Sequence, residues 1–272
     1  MDISIVVATH ERPIPLSKMI ESFRLYYPYI DIIAVDSSYA NNEINHITHI
    51  HVAPDTWISK QRNIALKSVK TPYFLLVDDD FLCTEKTDII GMINLLQQSS
   101  LWIVWWKVNN IWIDNYEFHG IYEIYDGILY HYVGIGNENN TYDVVFNFFV
   151  ANSQIVKKLW GWDDNLKYAR EHDDFFLQAK NCNVKIWYAP CHSIAHTNQI
   201  KHHSWIWSKQ CVKYFLDKRW INEKIEIRHI ARNNMHYISY HHCINPHTKV
   251  IIPQYIKEKI EVLYGIYPIV SS

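Results

Sequence analysis

Residues Tyr73-Phe74-Leu75-Leu76-Val77 form an unbroken apolar run that ends in Asp78-Asp79-Asp80. An apolar run of strand length, closed abruptly by charge, reads as a strand buried on both faces whose C-terminal tip opens on a cleft. Three adjacent carboxylates repel one another, so a fold that keeps them together has a use for them. A divalent cation with oxygen ligands, shared with a phosphate, is the usual one. A solvated acidic turn is the plainer alternative. Strand alternation puts Asp78 and Asp80 on one face, as the ligand pair, and turns Asp79 elsewhere.

The same pattern occurs twice upstream. An apolar, β-branched run over 3–8 ends in Thr9-His10-Glu11-Arg12-Pro13, and a second over 30–35 ends in Asp36-Ser37-Ser38. Between them Leu16, Met19, Ile20, Phe23 and Leu25 recur at near-helical spacing until Pro28. Strand, helix, strand at this spacing is a βαβ unit, which binds ligands at the carboxyl ends of its strands. The pattern continues with a short strand over 47–52 and a helix over 59–69 bearing Arg62 and Asn63. A helix over 84–98 follows the acidic strand, with Thr84 as its cap. Strands rich in Trp, Ile and Tyr are expected over 101–108, 111–113, 121–125 and 128–133, and another over 143–150. A short helix over 153–159, a helix carrying Glu171-His172-Asp173-Asp174, and strands over 184–188 and 193–196 complete this part. Beyond Thr197 helices are expected over 204–216 and 221–235, then a less regular tail. The boundary falls near residue 198. It separates an α/β unit over 1–198 from a helical, basic and aromatic extension over 199–272 packed on it.

Bulk properties exclude several classes. The chain has 272 residues, 49% hydrophobic and 20% charged, enough for a globular α/β core. A net charge of −2 gives no global attraction to a polyanion. Cys83, Cys182, Cys191, Cys211 and Cys243 are odd in number and never form CxxC, which argues for reduced thiols rather than a zinc knuckle or disulfide framework. No signal peptide or membrane-spanning run is read, so a cytoplasmic location (host cytoplasm for a viral protein) is expected. With neither GxGxxG nor GxxxxGK[ST], a dinucleotide dehydrogenase and a P-loop ATPase are disfavoured, and a diphosphate would be held by metal and Arg.

The acids of 171–174 begin a helix, where they offset the positive end of its dipole or supply a carboxylate that takes a proton from a nucleophile. His196 is either structural or a further metal ligand beside Asp80, and an imidazole tilts preference from Mg2+ to Mn2+. Arg62 is a solvated helix charge or a bidentate partner for a diphosphate. Thr9 and Asp36 cap and turn, or hydrogen-bond a base or ribose. Trp160-Gly161-Trp162 is core beside a turn, or a face for a sugar. Between Lys201 and Lys249 nine Lys or Arg meet three acids, interleaved with Trp and Tyr. That segment is an amphipathic cap with a solvated basic face or a nucleic-acid surface.

Arg62-Asn63-Ile64-Ala65-Leu66, with the run from Thr71 to Phe81, resembles the heart of GT-A fold glycosyltransferases. More closely, it is similar to the β-1,4-N-acetylgalactosaminyltransferase group and its viral and bacterial relatives. Val6-Val7-Ala8-Thr9, Ile33-Ala34-Val35-Asp36, Val145-Phe146-Asn147-Phe148-Phe149, His172-Asp173-Asp174-Phe175-Phe176-Leu177 and Ala195-His196 support it in order and spacing over 2–200. The resemblance implies a Rossmann-like, mostly parallel sheet flanked by helices. It implies inverting transfer of GalNAc, Gal, GlcNAc or Glc from a UDP-sugar to an acceptor hydroxyl, with Mn2+ or Mg2+. By position it implies that Thr9, Glu11, Arg12, Asp36, Arg62, Asp78 and Asp79 hold the nucleotide, and that Asp80, Asp78 and His196 hold the metal. Asn147, Trp160, Gly161, Trp162, Glu171 and His172 would meet donor or acceptor sugar. The general base would be an acid of 171–174; anchoring on Phe175-Phe176 favours Asp174, then Asp173. Asp36-Ser37-Ser38 departs from the two consecutive acids common there, and the Golgi anchor of animal members is not read here. A glycan is the expected acceptor; hydroxymethylated viral or phage DNA is the alternative. A sugar nucleotidyltransferase and a non-catalytic sugar-binding module are the rival readings.

Overall fold

The structure is a computed structural model and describes residues 1–41, 43–99, 101–110, 118–136, 140–167, 169–197, 205–232, 235–242 and 252–264. At 110, 190–192, 205–209, 229–232 and 235–242 it describes backbone alone.

The first half alternates strand and helix: β1 (Ile3–Thr9), α1 (Pro13–Tyr26), β2 (Asp31–Asp36), β3 (Thr48–His51), α2 (Ile58–Ser68), β4 (Tyr73–Asp78), β5 (Phe81–Leu82) and α3 (Ile89–Gln98). Then come β6 (Ile103–Asn110), β7 (Gly120–Tyr125), β8 (Ile128–Val133), β9 (Thr141–Tyr142), β10 (Phe149–Asn152), α4 (Ser153–Lys158), α5 (Glu171–Asn181) and β11 (Ile186–His196). The chain continues through α6 (Trp205–Arg219), β12 (Glu223–Arg232), β13 (Met235–His242) and α7 (Gln254–Tyr264).

Among the described residues the main sheet runs β3-β2-β1-β4-β10-β6-β11-β5, with β9 beside β11. Neighbours from β3 to β4 are parallel, as are β6 and β11, while β10 is antiparallel to both β4 and β6. Helices cover both faces, and period-2 side chains divide between them. Ile3, Ile5 and Val7 of β1 pack with Leu16, Met19 and Phe23 of α1 and with α3. Val6, Val35 and Leu76 pack instead with Ala65 and Leu66 of α2 and Phe175 and Phe176 of α5. Pro13 opens α1, where a missing N–H costs nothing.

A second sheet, β13-β12-β8-β7, draws strands from both sides of residue 198. Ile225 and Ile227 of β12 pack with Tyr130 and Tyr132 of β8 and with Ile256 and Ile260 of α7. Here the structure corrects the expected helix over 221–235. Ile221, Ile225 and Arg228 fit helical spacing, but Ile225 and Ile227 alternate with Glu226 and Arg228, and the free edge of β8 selects the period-2 solution. The tail expected to be irregular contains α7, whose buried face rests on this sheet.

Three boundaries also move. α3 begins at Ile89 with Asp88 as its cap, accepting the Gly91 N–H at 2.9 Å, while Thr84 closes a turn with Thr87. The strand expected over 143–150 is confined to Phe149–Asn152. Asp143 instead accepts the Tyr122 N–H at 2.8 Å, and Val144 bridges to Gly120 of the second sheet. The strands expected over 184–188 and 193–196 are one, β11, with an irregularity between Ala189 and Ser193. The strand expected over 111–113 lies outside the described residues. No helix among the described residues is long and apolar enough to cross a membrane.

Candidate active site

Register places the ends of β1, β2 and β4 side by side: Thr9 pairs with Asp36, and Ala8 with Asp78. Parallel strands thus bring three separated polar groups to one edge, as a βαβ sheet does.

The three consecutive aspartates then part. β4 ends at Asp78 and Asp79 enters a turn, so the alternation expected to unite Asp78 with Asp80 stops short. Asp78 accepts from Asn147 Nδ2 at 3.1 Å and lies 3.3 Å from Arg62 Nη2. Asp79, expected to point elsewhere, accepts the Thr9 hydroxyl at 2.7 Å and meets Arg12 Nη1 at 3.0 Å. Asp80 takes Arg12 Nη2 at 2.8 Å, and its other oxygen lies 3.4 Å from His196 Nε2. Arg12 therefore ties Asp79 to Asp80, a bidentate use that a lysine cannot reproduce.

No cluster of three or more His, Cys, Asp or Glu able to hold a metal occurs among the described residues. Asp80, in the turn just before β5, and His196, at the end of β11 opposite Phe81, nonetheless supply a carboxylate oxygen and an imidazole nitrogen side by side. That donor pair fits a borderline cation whose remaining ligands come from outside the chain. Asp78, expected as a third ligand, is directed to Arg62 and Asn147.

Asp36 is buried and engaged locally. Its Oδ1 accepts from Ser38 N at 2.8 Å and Ser38 Oγ at 2.5 Å, and its Oδ2 lies 3.4 Å from His49 Nε2. Glu11, at φ 53°, donates its N–H to Ser38 Oγ at 2.7 Å and accepts the Tyr39 N–H at 2.6 Å. Both acids brace the loops after β1 and β2 in the turn-forming manner of short polar side chains.

Arg62 is not a solvated charge. It is 1% exposed and reaches Asp78 and Glu171 at 3.3 Å each, with its guanidinium 5.7 Å from the Trp162 ring centre. The Trp-Gly-Trp segment splits around it. Trp162 is buried and stacks on Phe175 at 4.8 Å, whereas Trp160 is 88% exposed. Between them Gly161 adopts φ +67°, and a Cβ there would come within 2.2 Å of Asn63 Oδ1. Asn63 needs that close approach: it accepts the Trp162 N–H at 2.9 Å and donates to the Trp162 carbonyl at 2.6 Å.

α5 opens with Glu171, Asp173 and Asp174 in its first turn, without a side-chain cap and after Arg170 in the left-handed region at φ 68°. Asp174, the expected base, is 1% exposed, and its two oxygens meet Arg219 Nε at 2.6 Å and Lys218 Nζ at 2.9 Å. Asp173 accepts from the Tyr122 hydroxyl, from Lys224 Nζ at 2.8 Å and from Arg170 Nη1 at 2.9 Å. Burial alone would raise the Asp173 carboxyl; Lys224 and Arg170 outweigh it and hold it well below the usual carboxylate range. A base must keep a lone pair open toward the acceptor. These two are closed in by cations. Among the described residues only Oε1 of Glu171 is engaged, by Arg62. His172 packs against Phe176 and Phe118, and burial, with Arg62 beside it, lowers its affinity for a proton.

Lys218, Arg219, Lys224, Tyr122 and Arg170 had no signal in the sequence that linked them to these acids. They come from segments read as an extension, a strand and a helix start. The described cations of the basic segment turn to carboxylates rather than forming an open basic face. Lys213 meets Asp217 at 2.6 Å and Arg228 meets Glu226 at 2.9 Å, beside the three already named. The side chains of Lys201, Lys209, Arg232 and Lys249, and of Trp205, Trp207, Tyr237 and Tyr240, lie outside the described residues.

Comparison with known proteins adds three results. No protein-family model matches the chain. It is 32% identical to mouse β-1,4 N-acetylgalactosaminyltransferase 2 over 187 residues, and 28% identical to rat β-1,4 N-acetylgalactosaminyltransferase 1 over 190 residues. These matches cover 64% of this chain and 35% of each relative, so the chain spans about a third of the length of the curated relatives it matches. Among solved structures, it superposes on GalNAc-T7 with UDP, GalNAc and Mn2+ at a TM-score of 0.60 and 11% identity, covering 79% of this chain and 47% of that one. It also superposes on S. aureus TarS 1–349 at 0.54 and 13% identity, covering 72% and 60%.

Proposed function

We propose that this chain, which has the GT-A fold of these glycosyltransferases and sequence similarity to β-1,4-N-acetylgalactosaminyltransferases, is a metal-dependent inverting glycosyltransferase. It moves a sugar, with GalNAc favoured by its relatives' names over Gal, GlcNAc or Glc, from a UDP-sugar to a hydroxyl of a glycan.

One observation carries the reading. Arg62 joins Asp78, at the end of a parallel strand, to Glu171, at the start of α5. A strand edge suited to a nucleotide and a separate carboxylate thus converge on one buried cation. Thr9, Asp36 and Asp79 line the edge on which the nucleoside would rest. Asp80 and His196 would hold Mn2+ or Mg2+, which when bound supplies positive charge to the departing diphosphate. Arg62 and Arg12 are the chain's own cations beside it. Glu171 takes the proton of the acceptor hydroxyl. The acceptor oxygen forms its bond to the anomeric carbon from the face opposite the leaving group. The bond from that carbon to the phosphate oxygen breaks, and its electron pair leaves with UDP. Configuration at the anomeric carbon inverts. Glu171 replaces Asp174 in this role because both Asp174 oxygens are neutralised by Lys218 and Arg219.

The test is Glu171→Gln assayed with UDP-GalNAc and the other UDP-sugars in Mn2+. Turnover should fall by roughly 10²–10⁴ while UDP affinity stays within about twofold, because the base acts only on the acceptor. Full turnover by Glu171→Gln would remove Glu171 from the mechanism. If no UDP-sugar stabilises the protein or is consumed, the activity itself is wrong.

A further inference from the structure

α5 has no side-chain cap and begins beyond a left-handed residue, Arg170. Its first turn nevertheless packs three acids, two of them almost fully buried. Like charges three residues apart on a helix repel, and the helix dipole offsets only part of that. What holds this turn comes chiefly from the C-terminal part of the chain. Arg219 meets Asp174 through its Nε at 2.6 Å and donates through Nη2 to the Asp174 carbonyl at 2.9 Å. Lys218 sits between Asp174 at 2.9 Å and Asp163 at 2.6 Å. Lys224, 1% exposed, sits between Asp173 at 2.8 Å and Glu226 at 3.4 Å.

We infer that Lys218, Arg219 and Lys224 are positioning residues for the transfer. By fixing Asp173 and Asp174 they set the direction of the first turn of α5, and so aim Glu171 at Arg62 and the reacting centre. The inference rests on the reading of Glu171 as the base. From beyond residue 198, Lys218, Arg219 and Lys224 then complete the active site without themselves touching substrate. Removal of a buried partner leaves an uncompensated charge, which the turn relieves by moving its carboxylates toward water. Glu171 shares that turn and moves with it.

The test uses the full-length chain and steady-state kinetics, with active sites counted by UDP binding. Arg219→Ala should lower kcat about tenfold or more with the UDP-sugar KM within about twofold, since misplacing a reacting group acts on the chemical step. Arg219→Lys should recover part of the loss, because a cation is restored at Asp174 while the second bond, to the Asp174 carbonyl, is not. Lys213→Ala, which removes an exposed pair on the same helix, should change neither constant. If Arg219→Ala does not fold, Arg219→Gln and Asp174→Asn are read in the same way. An unchanged kcat per active site in the Arg219 variants, or a loss that Arg219→Lys does not relieve, overturns the inference. Glu171→Gln run alongside separates the two claims. If it is fully active, the base assignment fails whatever Arg219 does; if it is inactive while Arg219 variants turn over normally, only the positioning role fails.

Discussion

His196 Nε2 lies 3.4 Å from Asp80 Oδ1, and the sheet brings them together by setting His196 opposite Phe81, the residue after Asp80. The Asp80 carbonyl also accepts the Thr197 N–H at 3.0 Å, so backbone as well as side chains fix this junction.

From this pair follows an order of metal affinities, measured by calorimetry or Mn2+ resonance in the presence of UDP and without turnover. Asp80→Ala should abolish Mn2+ binding. His196→Ala should weaken it by at least about tenfold, the scale at which even outer partners of a metal act. Asp78→Ala should change it little. An Asp78 effect as large as that of Asp80 would restore Asp78 as a ligand and mean that its carboxylate swings away from Arg62.

Arg62 should be the least replaceable cation of the site. Arg62→Met leaves Asp78 and Glu171 without their shared partner, and a broken buried pair of this kind costs about 3–5 kcal/mol. Denaturant unfolding reads that loss directly. Arg62→Lys should remain defective in turnover, because a single ammonium cannot span both carboxylates while stacking on Trp162. Wild-type activity in Arg62→Lys would show that charge alone suffices.

Protonation of His131 in acid should work against the junction of the second sheet with α5. Burial and the Lys224 charge push His131 down from 6.5 to about 3, against the opposite pull of Glu226 and Asp173 and with Arg228 adding to Lys224. Between those values the unfolded chain takes up a proton that the folded one refuses. The stability from neutral His131 is therefore complete above pH 6.5 and is lost as pH falls toward 3, at no more than about 1.4 kcal/mol per pH unit. His119, lowered to about 4 chiefly by burial, acts in the same direction. Burial would raise Glu226, but Lys224 and its other neighbours hold it at about 2, so its contribution is complete above pH 4.5 and is lost as pH falls from there toward 2. His131→Asn should flatten the slope of stability between pH 6.5 and 4.5, whatever it does to absolute stability. An unchanged slope would place the acid sensitivity elsewhere.

Much of this was legible in order along the chain. Apolar runs ending at Thr9, Asp36 and Asp78 marked strand tips, because a doubly buried strand tolerates no charge until it leaves the sheet. The cap expected at Thr84 falls instead at Asp88, because the turn between Thr84 and Thr87 keeps Thr84 outside α3. Residues 221–235 carried helical and strand periodicities together, and the tie was broken by an unpaired edge elsewhere.

The sequence by itself determined the parallel sheet and its polar edge, and it placed two acidic elements where a nucleotide-sugar site would need them. Local pattern suffices there, because burial of alternate apolar side chains fixes strand and helix without reference to distant residues. Only the tertiary structure decided which acid is open. Asp78, Asp79 and Asp80 are neighbours in sequence, yet Asp78 belongs to Arg62 and the other two to Arg12. Glu171 is separated from Asp173 and Asp174 because Lys218, Arg219 and Lys224 reach the latter from far along the chain. Charge neutralisation is a matter of distance in space, which spacing in sequence does not encode.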